Sequence, residues 1–205
     1  MPTPSIYLAS KSPRRQQLLH QLGVSFAPLW PDDVESEQAE ALERVLPGES
    51  PAHYVERVAR LKLQTALTRL ATRSLPRLPV LAADTTVALG SRILGKPTDP
   101  DHAISMLKAL SGQSHKVFTA IALARPKAQD PQQWQVESVL SRSKVLFARL
   151  SDAQIEAYVA TGEPMDKAGA YAYQGGAARF VRKIEGSATG IIGLPLYECA
   201  KLLRL

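Results

Sequence analysis

The sequence predicts an α/β protein built on a mixed sheet, and three observations predict it. Helical and strand-like segments alternate along the chain instead of falling into separate halves. Helix starts are marked by Ser12-Pro13, Ser50-Pro51 and Asp99-Pro100, each a capping residue followed by proline. Two long alternating runs, 116–124 and 134–148, are separated by a turn marked by Pro126 and Pro131, so at least one pair is hairpin-like and antiparallel.

Residues 5–9 (SIYLA) read as a short buried strand. The helix opened by Ser12-Pro13 carries Leu18, Leu19 and Leu22 on one face and stops at Gly23. Residues 31–51 are acidic and loop-like. A helix over about 52–72 follows, with Val55, Val58, Ala59, Leu63, Ala66 and Leu70 forming its apolar stripe. Lys62 interrupts that stripe, so it either snorkels at an edge or points into a cleft. The run 79–89 (PVLAADTTVAL) is a buried central strand with a carboxylate in it or at its end. The Asp99-Pro100 helix uses Ile104, Leu107 and Leu110 and ends near Gly112. Beyond the two long strands, Ser151 caps a helix reaching Gly162, short strands are expected around Ala170–Tyr173 and Phe180–Ile184, and a last helix starts near Pro195.

A chain of 205 residues, 45% hydrophobic and 21% charged, suits one soluble α/β domain over 1–205, and a two-lobed form around a cleft also fits that length. The single Cys199 excludes an internal disulfide framework and fits a reducing cytosol; in its apolar surroundings it reads as a buried, inert thiol. The N-terminal apolar run is too short for a signal peptide and no stretch reaches a membrane span, so a cytoplasmic protein is expected. One Cys and four scattered His residues offer no zinc signature. The net charge of +6 admits nucleic acid, an anionic membrane surface or a polyanionic small substrate. Against nucleic acid, there is no basic helix, stacking array or zinc module.

Four groups carry chemistry. Ser10, Ser12, Arg14 and Arg15 surround the start of the first helix, whose unpaired N–H groups favour phosphate; a capped helix with solvated arginines is the plainer reading. Asp84 sits among apolar residues, where an unpaired carboxylate costs several kcal/mol unless it meets a cation; a turn-capping aspartate is the alternative. Lys96 in ILGKPTD gains interest only from the company of Asp84. The segment Glu163–Gly190 is dense in glycine, as where backbone approaches a ligand or simply turns often. Cationic donors beside a buried acid, without a Ser-His-Asp set, suggest metal-assisted chemistry on a phosphate ester or anhydride. Neither GxxxxGK[ST] nor an early GxGxxG is present, which excludes a P-loop and argues against a dinucleotide fold.

The segments LASKSPRRQQLLHQLG, YVERVARLKLQTA, LAADTTVAL, ILGKPTD, LSGQSHKVFTAIAL, YVATGEPMDKAGAYAYQG and FVRKIEGSATGIIGLPLYE occur in this order over about residues 6–203. In that order they resemble the Maf family of nucleotide pyrophosphatases. The resemblance implies an elongated mixed sheet flanked by helices, with two lobes around a cleft, related to the inosine triphosphate pyrophosphatase fold. It implies hydrolysis between the α- and β-phosphates with Mg²⁺ or Mn²⁺, and a homodimer. It places catalytic roles on Asp84, Lys96 and Lys62, and substrate binding on Ser10, Arg14, Arg15, Thr85 and Gln174. Metal binding is expected at Asp84 and at an acid of the loop PDDVESEQ, with Glu35 the choice and Asp33 and Glu37 the alternatives. Arg14, Thr85 and Gln174 together look like the subgroup acting on dTTP and UTP. An amide such as Gln174 both donates and accepts, which suits a pyrimidine edge. The alternatives are a 7-methyl-GTP-type pyrophosphatase, whose subgroup carries a glutamate there, and a nucleic-acid-binding regulator of septum formation.

Overall fold

The computed structural model describes residues 5–32 and 43–205. A seven-stranded mixed sheet runs through it in the order β2-β1-β3-β5-β6-β7, with β4 attached to β3 off that path. Its strands are β1 (Ile6–Leu8), β2 (Phe26–Pro28), β3 (Val80–Leu89), β4 (Arg92–Leu94), β5 (Ser114–Pro126), β6 (Trp134–Phe147) and β7 (Val181–Glu185). The helices are α1 (Pro13–Gln21), α2 (Pro51–Thr72), α3 (Pro100–Leu110), α4 (Asp152–Val159), α5 (Ala188–Ile192) and α6 (Leu196–Leu203). Only β1 pairs in parallel, with β2 and β3; every other pairing is antiparallel.

The proline-marked helix starts appear where the sequence places them. Ser50 and Asp99 accept hydrogen bonds from the N–H groups of His53 and His102, and Ser151 forms a reciprocal capping box with Gln154. Ser12 differs: it holds the N-cap position of α1 without a side-chain cap bond. Its own N–H instead reaches Ser10 Oγ, at 3.3 Å. The strand expected around Ala170–Tyr173 does not form. Ala168–Ala170 makes a 3-10 turn, with Gly169 at φ 70°, and Tyr171 leaves it in extended backbone without a strand partner. The close packing of Gly169 against Val87, where a Cβ would come within 2.9 Å, explains why small residues rather than a paired strand pass here. The later strand does form, as β7, after a further 3-10 turn over Gly176–Phe180.

Strand alternation divides the core. On β3, Leu81 and Ala83 face a cluster formed with Leu18 and Leu19 of α1 and Cys199 and Leu202 of α6. Val80 and Ala82 face Leu63, Ala66 and Leu70 of α2 on the opposite side. Toward the other end of the long strands, Val87, Val117, Val145 and Phe147 join α3, α4 and the 3-10 turns in a separate cluster with Tyr158 and Phe180. Two packed regions therefore share β3, β5 and β6, and a cleft lies between them.

The sheet itself opens at that place. One edge of β3 pairs with β1 through Val80 and Leu81, then with β4 through Val87, Ala88 and Leu89. Between these contacts, Ala82 to Thr86 pair only with β5. Asp84 and Thr85 sit in this gap.

Candidate active site

The cleft has a volume of about 1010 Å³, and its lining includes Ser10, Arg14, Arg15, Lys62, Asp84, Thr85, Lys96 and Gln174. All eight side chains named from the described sequence thus reach one cavity. Glu35, Asp33 and Glu37 lie outside the described residues.

Asp84 and Thr85 are consecutive on an extended strand, so they leave β3 on opposite faces. Asp84 is on the α2 side. Its Oδ1 lies 2.7 Å from Lys62 Nζ, which settles the two readings of Lys62 in favour of the cleft. The same ammonium lies 2.8 Å from Oε1 of Glu43, an acid in the second half of the acidic stretch 31–51 that sequence reasoning passed over. Glu43 carries no local signal; only the fold brings it beside Asp84. Burial alone pulls the Lys62 pKa down, but Asp84 and then Glu43 outweigh it, and the net direction is upward. Lys62 is therefore a firm cation held between two carboxylates.

Thr85 is on the α1 side, where Arg15 is caged. Arg15 donates from Nε to the Gly193 carbonyl at 2.9 Å, from Nη1 to Ser10 Oγ at 3.0 Å and from Nη2 to Thr85 Oγ1 at 3.3 Å. Burial lowers the pKa of this guanidinium, with Asp84 opposing the shift, yet an arginine stays charged. Gly193 has φ 130°, a conformation that L side chains rarely adopt, and a Cβ there would touch both Arg15 and Thr85. Ser10 Oγ accepts from both Arg15 and the N–H of Ser12, so its own hydrogen is left to donate toward the cleft.

Lys96 and Gln174 border the same space and make no hydrogen bond among the described residues. Lys96 follows Gly95, whose carbonyl receives the Gly169 N–H at 3.0 Å and ties the two loops together. Gln174 precedes the Gly175-Gly176 pair, and this turn is pinned by Glu163. The Glu163 carboxylate accepts from Tyr158 Oη at 2.7 Å and from the Gly176 N–H at 3.1 Å. A Cβ on Gly175 would lie 2.3 Å from it, so a larger residue would have to displace the carboxylate or the turn.

The donor set allows a hard divalent cation. Asp84 and Glu43 already share one positive group and offer the one or two carboxylates that Mg²⁺ typically takes from protein, leaving other positions to water and phosphate. Among the described residues there is no cluster of three or more His, Cys, Asp or Glu that would bind a metal tightly on its own. Cys199 is buried away from this site, and burial pushes its thiol up to about 12, as an inert residue should behave. Among the described residues, no helix is long and apolar enough to cross a membrane.

Fold and cleft together define an α/β protein with a cleft in which arginines and lysines surround a buried carboxylate. The chain belongs to the Maf-like protein family, whose family model matches residues 5–205. It is 54% identical over 199 residues to the dTTP/UTP pyrophosphatase of Albidiferax ferrireducens, covering 97% of this chain and 95% of that one. It is 53% identical to the dTTP/UTP pyrophosphatase of Cupriavidus pinatubonensis, with the same coverage of 97% and 95%. A solved HAM1 protein from Coxiella burnetii aligns over 98% of this chain and 99% of its own, at 20% identity and a TM-score of 0.46, too low a similarity to bear on the site.

Proposed function

We propose that this chain hydrolyses dTTP and UTP to the monophosphate and pyrophosphate, using a divalent cation. The observation that carries the proposal is the convergence of Asp84, Glu43 and Lys62 with Ser10, Arg14, Arg15 and Lys96 on one cleft. The names of relatives more than half identical supply the substrate pair.

In this reading the triphosphate lies across the gap in the sheet edge. The start of α1, with Ser10 and the two arginines, holds one part of the phosphate chain, and Lys96 reaches it from the facing loop. Asp84 orients a water molecule and takes its proton as the water oxygen bonds to the α-phosphorus. The bond from that phosphorus to the α–β bridging oxygen breaks, and the electron pair leaves with pyrophosphate. Arg15, Lys62 and Lys96 stabilise the charge that develops on the departing oxygens. A divalent cation held by Asp84 and Glu43 would neutralise phosphate charge and lower the pKa of bound water. Gln174 meets the pyrimidine edge, because its amide matches a base that offers both acceptors and a donor. A homodimer in the cytoplasm belongs to the same proposal and is tested by light scattering and cell fractionation.

The direct test is a panel of canonical and modified nucleoside triphosphates assayed for pyrophosphate release with Mg²⁺ or Mn²⁺. Turnover of dTTP and UTP above the purine triphosphates is the expected result. Preference for 7-methyl-GTP, or release of single phosphates, would overturn it.

A further inference from the structure

Thr119 lies on β5, 1% exposed, opposite Thr85 in the sheet register, in a segment to which the reaction above gives no task. Its Oγ1 is 2.7 Å from the Gly190 carbonyl and 2.9 Å from Thr85 Oγ1. These distances fix where every hydrogen goes. A carbonyl cannot donate, so the contact to Gly190 consumes the only hydrogen of Thr119. The Thr85–Thr119 contact must then use the hydrogen of Thr85. Thr85 in turn has nothing left to donate, and it can only accept from Arg15 Nη2. The polarity runs one way, from Arg15 to Thr85 to Thr119 to the Gly190 carbonyl. The far end closes the loop, because Gly193, whose carbonyl takes Arg15 Nε, caps the same short helix, α5, that contains Gly190.

We propose that Thr119 is a positioning residue for Arg15: by claiming the Thr85 hydrogen, it makes Thr85 a fixed acceptor that holds the guanidinium toward the phosphates. Thr85 then serves the substrate through Arg15, as a strut, and donates no hydrogen bond to the nucleotide. Thr119 touches neither substrate nor reacting atoms. Without the Thr119 hydroxyl, the Thr85 hydrogen has no acceptor, and nothing then fixes the rotamer that presents the Thr85 lone pair to Arg15. The Gly190 carbonyl also loses the shorter of its two donors and keeps only the Gly193 N–H, at 3.1 Å.

The inference rests on the proposed phosphate-handling role of the cleft, so the test uses two readouts, binding of inorganic pyrophosphate by calorimetry and turnover of dTTP. The variants are Thr119→Val, Thr119→Ser, Arg15→Lys and the double variant Thr119→Val/Arg15→Lys, each with its melting temperature. Thr119→Val should weaken pyrophosphate binding and lower kcat/KM by about tenfold, the scale of one lost hydrogen bond. Thr119→Ser, which keeps the hydroxyl, should restore both. In the Arg15→Lys background, Thr119→Val should add little, because the two side chains act as one unit. Additive losses, or a serine variant as impaired as the valine one, would overturn the proposal. Should Thr119→Val fail to fold, Thr85→Val combined with Arg15→Lys tests the same chain one link along, and additivity there would equally overturn it. A wild-type protein that binds pyrophosphate yet turns over no triphosphate would sink the proposed reaction while leaving the role of Thr119 open to the binding readout.

Discussion

Lys62 Nζ lies 2.7 Å from Asp84 Oδ1, joining the longest helix to the one carboxylate buried in the central strand. The contact explains how an aspartate is tolerated between Ala83 and Thr85 on a strand whose other buried residues, apart from Thr86, are apolar. It also sets the chemistry, because Glu43 reaches the same ammonium from the other side at 2.8 Å. A charged group so placed is held by geometry that neither partner provides alone.

Asp84→Asn keeps the shape and a hydrogen-bonding group but removes the charge. Lys62 retains Glu43 and about a quarter of its side-chain surface exposed, so no uncompensated buried charge results. The variant should therefore melt near the wild-type temperature and release no measurable pyrophosphate from dTTP. Near-normal turnover would remove Asp84 from the reaction.

Lys96→Met separates binding from folding more cleanly. The lysine is exposed and makes no hydrogen bond or ion pair among the described residues, so its loss should change stability by no more than about 0.5 kcal/mol. Loss of one charge-stabilising contact costs on the order of 10²-fold in rate. Turnover down by that factor at unchanged thermal stability is the expected pair of results; unchanged turnover would reduce Lys96 to a solvated loop residue.

The contrast between these residues shows what is legible from a sequence. Helix starts at Ser50-Pro51 and Asp99-Pro100 were readable because capping is local, and β5 and β6 because their periodicity is long. Asp84 was readable because a charge inside an apolar run needs a partner. Glu43 was not, since its meaning depends on a contact across the chain to Lys62. Thr119 was hidden for a related reason: a threonine on a strand is ordinary, and only the register that sets it opposite Thr85 gives it work. The three-residue strands β2 and β4 are too short to show any alternation. The segment from Ala170 to Tyr173 misled because small and aromatic residues alternate there for packing against Val87 and Phe147, not for strand pairing.

Gly175→Ala tests the turn that presents Gln174. The added methyl would meet the Glu163 carboxylate at 2.3–2.4 Å, and that carboxylate is fixed by Tyr158 and by the Gly176 N–H. The carboxylate must give up these two bonds or the turn must move, and either change loosens the hold on Gln174. KM for dTTP should rise by about tenfold, the discrimination of one or two polar contacts, with a smaller change in kcat. Equal losses on dTTP and on a purine triphosphate would mean that the turn serves folding and not base recognition.

His115 makes the acid limb of stability predictable. It is 2% exposed on β5, with Nε2 2.8 Å from Tyr171 Oη, edge-on to Phe147 and Tyr171, and Nδ1 has no hydrogen-bond partner among the described residues. Among the described residues no carboxylate shifts it, and burial pushes its pKa down to about 4, so the native imidazole is neutral through the physiological range. In the unfolded chain it titrates near its ordinary value of 6.5. Between those two values the unfolded state binds more protons than the native one, so stability is full above pH 6.5 and declines as pH falls toward 4. The loss from this one group approaches about 3 kcal/mol across the window. His115→Gln keeps a polar partner for Tyr171 without titrating. Its urea-unfolding free energy should sit below that of the wild type at pH 7.5 and converge on it, or pass it, as the pH is taken down to 4.5. Parallel curves over that range would mean that His115 takes up its proton as readily in the folded protein as in the unfolded chain, and that the aromatic cluster beside the cleft does not exclude the charge.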